Sequence, residues 1–417
     1  MRILMINTLY PPLVVGGAER SVCLLAEALA RAGDQVSVVS LHPGSQETVE
    51  SLNDVRVYRL PLDNCYWPFD HRKKPGSAAR LLWHMGDAWN RQAAERIGRI
   101  LDQEKPDVVH SNILAGFSVA VWREVKKRNI RLVHTLRDYY LLCSRSALFR
   151  NGSTCMRRCT DCKALTANRR SASQLVDAVV SISEYVLDCH IRRGYFSGSS
   201  LSVIYNIAGT GTIAGTALSG RNDPQNPLSF GYIGRLEDEK GIQVVLEATE
   251  YLSGSNWSLR IAGVGLDGYV SALKEKFTDP RIEWLGFTDA REFYASTDVT
   301  IISSVWPEPL SRTVIETFAA GNSAMCARSG GIPEIASLGK VVETYPAKDP
   351  RALAALMDRA MLDTDLWRSG GFRNANALNL FSDTSIATRY RAVYRGGMTN
   401  SALAESGREA LEALVDA

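Results

Sequence analysis

The sequence predicts an α/β protein with a doubly wound parallel sheet in each half of the chain. Short apolar runs typical of buried strands alternate with longer segments of helical periodicity from end to end. A segment rich in Gly, Thr and Pro, residues 208–227, interrupts this alternation. The 417 residues also exceed what one hydrophobic core usually serves. We therefore expect two Rossmann-like domains facing across a cleft, over residues 1–205 and 206–381.

Each half has its own series of predicted elements. In the first half the strand-like runs are residues 2–7, 35–40, 55–59, 107–110, 131–135 and 178–181. A helical pattern at 18–32 has apolar residues at three- and four-residue spacing. In the second half the strand-like runs are residues 228–233, 258–262, 282–285, 299–303 and 324–327, followed by helical patterns to the end. In such sheets, ligands bind beyond the carboxyl ends of the strands.

Composition and charge exclude several function classes. The 48 Lys and Arg against 45 Asp and Glu leave a net charge of +3, which is too near balance to indicate nucleic-acid binding. No apolar stretch reaches the roughly 18 residues of a membrane-spanning helix. The first seven residues resemble a buried strand and lack the regions of a secretory signal. Eight cysteines in 417 residues favour a reducing cytoplasm.

The segment after the predicted strand 299–303 has the features of a diphosphate and sugar site. A helix opening at Leu310-Ser311-Arg312-Thr313 would direct free backbone N–H groups at an anion. Glu316, in that helix, can accept two hydrogen bonds from a ribose diol, and Glu308 can meet a second polyhydroxyl group. The alternative is a helix-capping carboxylate and a solvated glutamate.

Two glycine-containing loops add to this prediction. Gly234-Arg235 and Lys240-Gly241 follow the first strand of the second half, and their cations can neutralise a departing diphosphate. The alternative is a surface turn in which Arg235 pairs with Glu237 or Glu239. Gly16-Gly17 opens a helix after the first strand of the chain, where a ligand could approach the backbone closely.

These motifs, together with Ser329-Gly330-Gly331-Ile-Pro-Glu334, occur in an order that resembles glycosyltransferase family 4, which has the GT-B fold. The resemblance covers roughly residues 1–390. It implies a donor-binding C-terminal domain, an acceptor-binding N-terminal domain, and helices at about 382–417 that pack back on the latter. It also implies that Arg235 and Lys240 hold the diphosphate of a UDP- or GDP-sugar, Glu308 the transferred sugar and Glu316 the ribose. Transfer in this family retains the anomeric configuration without a divalent ion.

The sequence departs from the family at three places. The usual glycine-containing stretch after Gly-Gly-x-Pro-Glu is shortened to residues 336–340. Relatives usually have Phe-Gly where this chain has Leu310-Ser311, which keeps both amides and changes the fit to the sugar. Relatives also place a His-Asp pair after a strand of the N-terminal domain, where this chain has Arg137-Asp138 with His134 three residues earlier. Asp138 is the strongest catalytic candidate of the three. Either His134 or Arg137 could reach the donor sugar or the acceptor oxygen, and a hydrogen-bonded structural histidine is the alternative for His134.

Cys143, Cys155, Cys159 and Cys162 fall within twenty residues. Four thiolates so close in sequence suit a structural zinc site or an iron–sulfur cluster. Their spacing differs from that of a zinc ribbon, so reduced thiols in a loop and a facultative disulfide are the alternatives.

Two rival functions follow from the sequence. Gly263-Val-Gly265-Leu-Asp-Gly268 matches G-x-G-x-x-G after a strand, which would suit an NAD-dependent oxidoreductase, a donor-contacting loop or tight packing. A binding protein that has lost turnover is the other rival, against which the intact Glu308/Glu316 pair argues.

Residues 61–95 interleave aromatic and basic side chains, including Arg72, Lys73 and Lys74. This pattern suits peripheral attachment to the inner membrane face, where a lipid-linked saccharide acceptor would lie. An insertion packed on the protein itself and a soluble small-molecule acceptor are the alternatives. The sequence leaves the oligomeric state undetermined.

Overall fold

The computed structural model of the chain describes residues 1–69, 75–209 and 226–397. Most of the predicted linker (210–225), the cations at 72–74 and the tail from 398 on lie outside the described residues.

The described chain divides into two compact units. The first comprises the described parts of Met1–Leu148, Cys155–Ile207 and the chain from Phe381 on, and the second comprises Phe149–Thr154 and the described part of Ala208–Leu380.

The elements before residue 208 alternate as predicted, with some additions. The strands are β1 (Arg2–Ile6), β2 (Gln35–His42), β3 (Thr48–Leu52), β4 (Val55–Pro61), β5 (Val108–Ser111), β6 (Arg131–Leu136), β7 (Phe149–Arg150), β8 (Ser153–Thr154), β9 (Ala178–Ser181) and β10 (Ser200–Val203). The helices are α1 (Gly17–Arg31), α2 (Ser77–Ala88), α3 (Arg91–Glu104), α4 (Ala120–Lys127), α5 (Thr160–Leu165), α6 (Ala167–Ala172) and α7 (Glu184–Ile191).

The second part of the chain repeats the pattern. Its strands are β11 (Leu228–Ile233), β12 (Trp257–Ala262), β13 (Ile282–Gly286), β14 (Val299–Ile302), β15 (Ser323–Arg328) and β16 (Val342–Pro346). Its helices are α8 (Ile242–Thr249), α9 (Asp267–Lys276), α10 (Ala290–Ala295), α11 (Arg312–Ala319), α12 (Ile332–Ala336), α13 (Pro350–Leu362), α14 (Thr364–Trp367) and α15 (Asp383–Tyr394).

The predicted α/β class is confirmed in both units. The first sheet has the order β10-β9-β6-β5-β1-β2-β4-β3, in which only β3 is antiparallel to its neighbour among the described strands. The second sheet is parallel and has the order β13-β12-β11-β14-β15-β16. Side chains on both faces of β1 are buried from Ile3 to Ile6, as expected for a parallel strand covered by helices on each side.

The helix α15 belongs to the first unit and packs on α1. Its aromatic residues Tyr390 and Tyr394 are buried there. The Tyr394 hydroxyl lies 2.7 Å from Nδ1 of His110, in β5, and Oγ1 of Thr135 lies 2.7 Å from the other ring nitrogen. Burial holds the pKa of His110 well below its usual range, so this histidine is neutral and structural.

Candidate active site

The strand order of the second sheet locates a candidate site. The chain runs from β11 outward through β12 to β13, and then starts again at β14 on the other side of β11. The strand order therefore reverses between β11 and β14, and doubly wound sheets bind ligands beyond the carboxyl ends of the strands at such a point. The loops that follow these two strands contain Arg235, Lys240, Glu308 and Ser311.

The structure joins Lys240 and Glu308 in one hydrogen-bonded cluster. Lys240 Nζ lies 2.9 Å from Oε1 of Glu308, and the Ser304 hydroxyl donates to Oε2 at 2.6 Å. Both charged side chains are mostly buried, and Lys240 Nζ also lies 5.5 Å from the centre of the Trp306 ring. These contacts orient Glu308 through both of its carboxylate oxygens, and Lys240 and Glu308 form one ion pair.

Two glycines hold the loops of this cluster. Gly330 has φ +59°, and a Cβ there would lie 2.2 Å from the Glu308 carbonyl oxygen, which accepts a 2.7 Å hydrogen bond from Gly331 N. Gly241 has φ +72°, and a Cβ there would lie 2.0 Å from the Ser303 carbonyl oxygen. The motif that contains Gly330 and Gly331 therefore packs against the Glu308 backbone and holds it in place.

Helix α11 begins where the sequence predicts it. Ser311 is its N-cap residue, and its side chain makes no capping hydrogen bond with the first-turn N–H groups of the helix. These groups form the positive end of the helix dipole, which suits an anion. Leu310 and Ser311 are themselves buried, so they contribute backbone groups more readily than side chains.

Glu316 lies in the same helix with two oriented contacts. Its Oε1 is 3.5 Å from Nη2 of Arg312, and its Oε2 accepts a hydrogen bond of 3.4 Å from the Tyr294 hydroxyl. Arg312 also donates to the carbonyl of Ala208 at 2.6 Å. Glu316 is mostly buried, with 19% of its side chain exposed.

The Arg235 loop is more open. The Arg235 guanidinium lies 3.0 Å from Glu237, the pairing expected for a surface turn, and 56% of its side chain is exposed. Gly263 explains the path of this loop, since a Cβ there would lie 1.8 Å from the carbonyl oxygen of Gly234. Gly265 approaches the carbonyl of Leu236 in the same way. The G-x-G pattern thus allows two loops to pack backbone against backbone.

In the first unit, Gly16 is the N-cap of α1, and its N–H donates to Glu19 at 2.9 Å. Gly17 is the first residue of that helix. The two glycines therefore stand at the N-terminus of a 15-residue helix beyond the carboxyl end of β1.

The three catalytic candidates of the first unit differ in their surroundings. His134 is buried inside β6, with its Nδ1 3.0 Å from the Ser111 hydroxyl and its ring packed between Trp122 and Phe196. Burial lowers the pKa of His134 to about 3. These contacts support the structural alternative for His134, so we do not retain it as a catalytic candidate.

Arg137 and Asp138 directly follow β6, at the edge where ligands are expected. The Asp138 carboxyl accepts a hydrogen bond from Tyr140 N at 2.9 Å. Loss of water around the Asp138 carboxyl raises its pKa to about 6. Arg137 is buried and bound to two asparagines.

The cysteine cluster does not form a metal site in the described residues. Cys143 and Cys162 are buried with their sulfur atoms 3.8 Å apart, but no group of three or more His, Cys, Asp or Glu side chains in the described ranges could hold an ion. Burial raises the pKa of Cys162 to about 11, which opposes the thiolate that a metal requires. The residues do not fit a zinc ion or an iron–sulfur cluster, and we do not retain that prediction.

Comparison with known proteins identifies the family. Residues 15–208 match the family model described as Glycosyltransferase Family 4, and residues 219–370 match that of Glycosyl transferases group 1. An uncharacterized 42.6 kDa protein in the cps region of Klebsiella pneumoniae is 34% identical over 81% of this chain and 88% of its own. The chain is a family 4 glycosyltransferase.

Other relatives of this glycosyltransferase agree in fold and class. The lipopolysaccharide core biosynthesis glycosyltransferase LpsE of Rhizobium meliloti is 24% identical over 76% of this chain and 77% of its own. The crystal structure of HepE from Anabaena, in complex with UDP and glucose, superposes with a TM-score of 0.67 and 19% identity over 95% of this chain and 100% of that chain. The predicted GT-B fold is confirmed, and the family assignment overturns the oxidoreductase alternative.

The residues that orient the two glutamates of this glycosyltransferase are not among those predicted from the sequence. Ser304 holds Glu308, and Tyr294 holds Glu316. Ser304 has a recognisable signal, because it is a polar residue directly beyond the carboxyl end of a buried parallel strand. Tyr294 has no such signal, since it lies in the short helix α10.

Proposed function

We propose that this glycosyltransferase moves a sugar from a nucleotide-sugar donor to a saccharide acceptor during assembly of a cell-surface polysaccharide or lipopolysaccharide. In this proposal the second unit binds the donor and the first unit the acceptor. The observation that carries it is the cluster of Lys240, Glu308 and Ser304 at the point where the second sheet reverses its strand order. The cation and the start of α11 suit the diphosphate of such a donor, and the oriented carboxylate suits the hydroxyl groups of the sugar attached to it.

The residues take the following roles in the proposal. The N–H groups at Arg312 and Thr313, with Lys240 and Arg235, stabilise the diphosphate as the bond between the anomeric carbon and the phosphate oxygen breaks. Such preorganised charges usually make the largest contribution to catalysis.

The remaining steps concern the two sugars. Glu316 binds the ribose hydroxyls and Glu308 the transferred sugar. The acceptor hydroxyl attacks the face from which the phosphate leaves, and a phosphate oxygen takes its proton. The product then retains the anomeric configuration, and the protein's own cations take the place of a divalent ion.

Two comparisons support the choice of substrates. HepE was solved with UDP, which supports a nucleoside diphosphate donor, and LpsE is named for lipopolysaccharide core biosynthesis. A uridine or guanosine diphosphate sugar therefore remains our proposal for the donor, and a lipid-linked saccharide remains our proposal for the acceptor.

Exposed apolar residues on α2 support a lipid-linked acceptor. Leu81, Leu82 and Met85 are 52%, 60% and 59% exposed, while Trp83 of the same helix is buried and anchors it. No helix in the described ranges is long and apolar enough to cross a bilayer. An exposed apolar stripe on a short amphipathic helix suits insertion into the headgroup region, so we propose that α2 contacts the membrane surface that carries the acceptor.

Replacing Leu82 and Met85 together by Asp is expected to weaken binding to anionic vesicles at least about tenfold, because each loses apolar surface that would be buried in lipid. Co-sedimentation with vesicles rich in phosphatidylglycerol measures the change. Leu362→Asp is the matched control, since Leu362 is 88% exposed at the end of α13. Equal sedimentation of all three proteins would count against the membrane proposal.

Glu316→Ala is expected to weaken nucleotide binding about tenfold or more, because the ribose hydroxyls lose a charged acceptor. Glu308→Ala is expected to leave nucleotide affinity nearly unchanged and to lower turnover. A thermal-shift screen of nucleotide sugars, followed by titration of the best one, measures the affinities, since a ligand that binds only the folded state raises the melting point.

Glu275→Ala, at an exposed glutamate of α9, is the control for this pair. It should match the parent protein in both affinity and rate. Unchanged affinity and unchanged rate in both the Glu316 and the Glu308 variants would contradict the proposed roles.

A further inference from the structure

Arg137 is a buried guanidinium at the carboxyl end of β6. Only 6% of the residue is exposed. Its Nε donates to Oδ1 of Asn112 at 2.8 Å, and its Nη1 donates to Oδ1 of Asn206. Asn112 follows β5 and Asn206 follows β10, so three strands of one sheet bring these groups together beyond their carboxyl ends.

The charge of Arg137 has no direct counter-ion in the described chain. Its hydrogen-bonded partners are the neutral amides of the two asparagines and the hydroxyl of Tyr390, and no carboxylate of the described residues lies within 4.0 Å of the guanidinium. Glu19 attracts it electrostatically from further away, and that carboxylate already accepts a hydrogen bond from Gly16 N. Burying a cation without a paired charge costs several kcal/mol, so a structural role alone would be served better by a neutral side chain.

Asn206 offers a second donor beside the guanidinium. Its Oδ1 is occupied by Arg137, whereas its Nδ2 donates to no group of the described residues. Asn112 differs, because its Nδ2 contacts the carbonyl of His110 at 3.4 Å. A guanidinium next to an amide N–H presents the donor pattern that carboxylates and phosphates accept.

We propose that Arg137 and Asn206 bind an oxyanion, a carboxylate or a phosphate, carried by the acceptor saccharide. The proposal rests on the proposed function, in which the first unit binds the acceptor. The position beyond the carboxyl ends of parallel strands is where ligands of such sheets bind. A neutral sugar would leave the buried charge uncompensated, and an anionic sugar would pair with it.

The test uses the full chain with both donor-site cations removed, Arg235→Ala with Lys240→Ala, so that phosphates bind less well at that site. Three probes are compared by thermal shift and calorimetry: methyl glucuronide, methyl glucoside 6-phosphate and the neutral methyl glucoside. We expect the affinity for each anionic probe to be at least about tenfold higher than that for the neutral probe. The tighter of the two anions identifies whether the acceptor carries a carboxylate or a phosphate.

Substitutions at the site complete the test. Arg137→Gln should abolish the preference for anions, and Asn206→Ala should reduce it. Arg137→Lys, which keeps the charge, should retain part of the preference, and it takes the place of the glutamine variant if that variant fails to fold. Equal binding of charged and neutral probes, or an anion preference that survives Arg137→Gln, would overturn the inference. A separate titration of the parent chain with UDP and GDP tests the proposed function. If a nucleotide binds but no anionic glycoside binds, the inference about Arg137 is wrong and the proposed function still stands.

Discussion

Lys240→Ala is expected to lower kcat about 10²- to 10³-fold, the cost typical of removing one group that stabilises transition-state charge. Lys240 would neutralise the departing diphosphate, and it also pairs with Glu308 at 2.9 Å. The substitution removes the positive charge of Lys240. Of the contacts described above, the Glu308 carboxylate then keeps only the hydrogen bond from the Ser304 hydroxyl. An unpaired carboxylate close to a diphosphate would raise the barrier further.

Steady-state kinetics with a saturating nucleotide sugar measures this effect. Lys240→Arg keeps the charge with a different donor geometry and should fall between the parent and the alanine variant. Lys274→Ala, at an exposed lysine of α9 in the same unit, should leave kcat unchanged. The role of Lys240 is refuted if Lys240→Ala keeps kcat within a factor of about three of the parent while Lys274→Ala behaves as expected.

A double-mutant cycle of Lys240→Ala and Glu308→Gln separates the two contributions. Residues that act as one unit lose less together than the sum of their single losses. We expect such non-additivity here because Lys240 and Glu308 are in direct contact. Strict additivity would mean that the ion pair has no part in turnover.

The sequence carries enough information for most of the fold. Buried parallel strands such as β1, β11 and β14 are continuous apolar runs, so their predicted bounds agree with the structure to within about two residues. The strands β3 and β16 were missed because they are edge strands with mostly exposed or half-exposed residues, and only pairing with a neighbour defines them.

The candidate site was predicted in part. The start of α11 at Ser311 follows from the strand, the prolines and the helical pattern around it. The contact between Lys240 and Glu308 joins residues 68 positions apart, and local patterns contain no information on such a distance. His134 was favoured for its chemistry, but its place inside β6 packs its ring between Trp122 and Phe196.

Arg169→Met is expected to destabilise the first unit by about 3–5 kcal/mol, the cost typical of breaking a buried ion pair. Arg169 Nη2 lies 3.1 Å from Oδ2 of Asp87, and both side chains are only 1% exposed. The guanidinium also lies 3.6 Å above the Tyr140 ring and donates to the Tyr140 carbonyl. Because these contacts tie α6 to α2, the loss should affect the unit as a whole.

The pH dependence of this loss tests its cause. Burial raises the pKa of Asp87 to about 6 in the folded chain, above the roughly 3.9 of an unfolded aspartate. The folded state therefore binds more protons between these values, and this group lowers stability as the pH rises from about 4 to 6. Without Arg169 the ionised carboxylate of Asp87 is buried unpaired, which destabilises the fold further. The variant and the parent should therefore differ more in their free energy of unfolding at pH 8 than at pH 5.

Urea unfolding at both pH values measures these differences. Arg170→Met, at the exposed neighbour on α6, is the matched control and should lie within about 0.5 kcal/mol of the parent. Replacing both partners, Asp87→Asn with Arg169→Met, should recover much of the loss, because no buried charge is then unpaired and the amide oxygen can still accept from Gly116 N. If the single variant costs the same at pH 5 and pH 8, and the double variant recovers nothing, lost packing of the long side chain explains the effect and the ion pair does not.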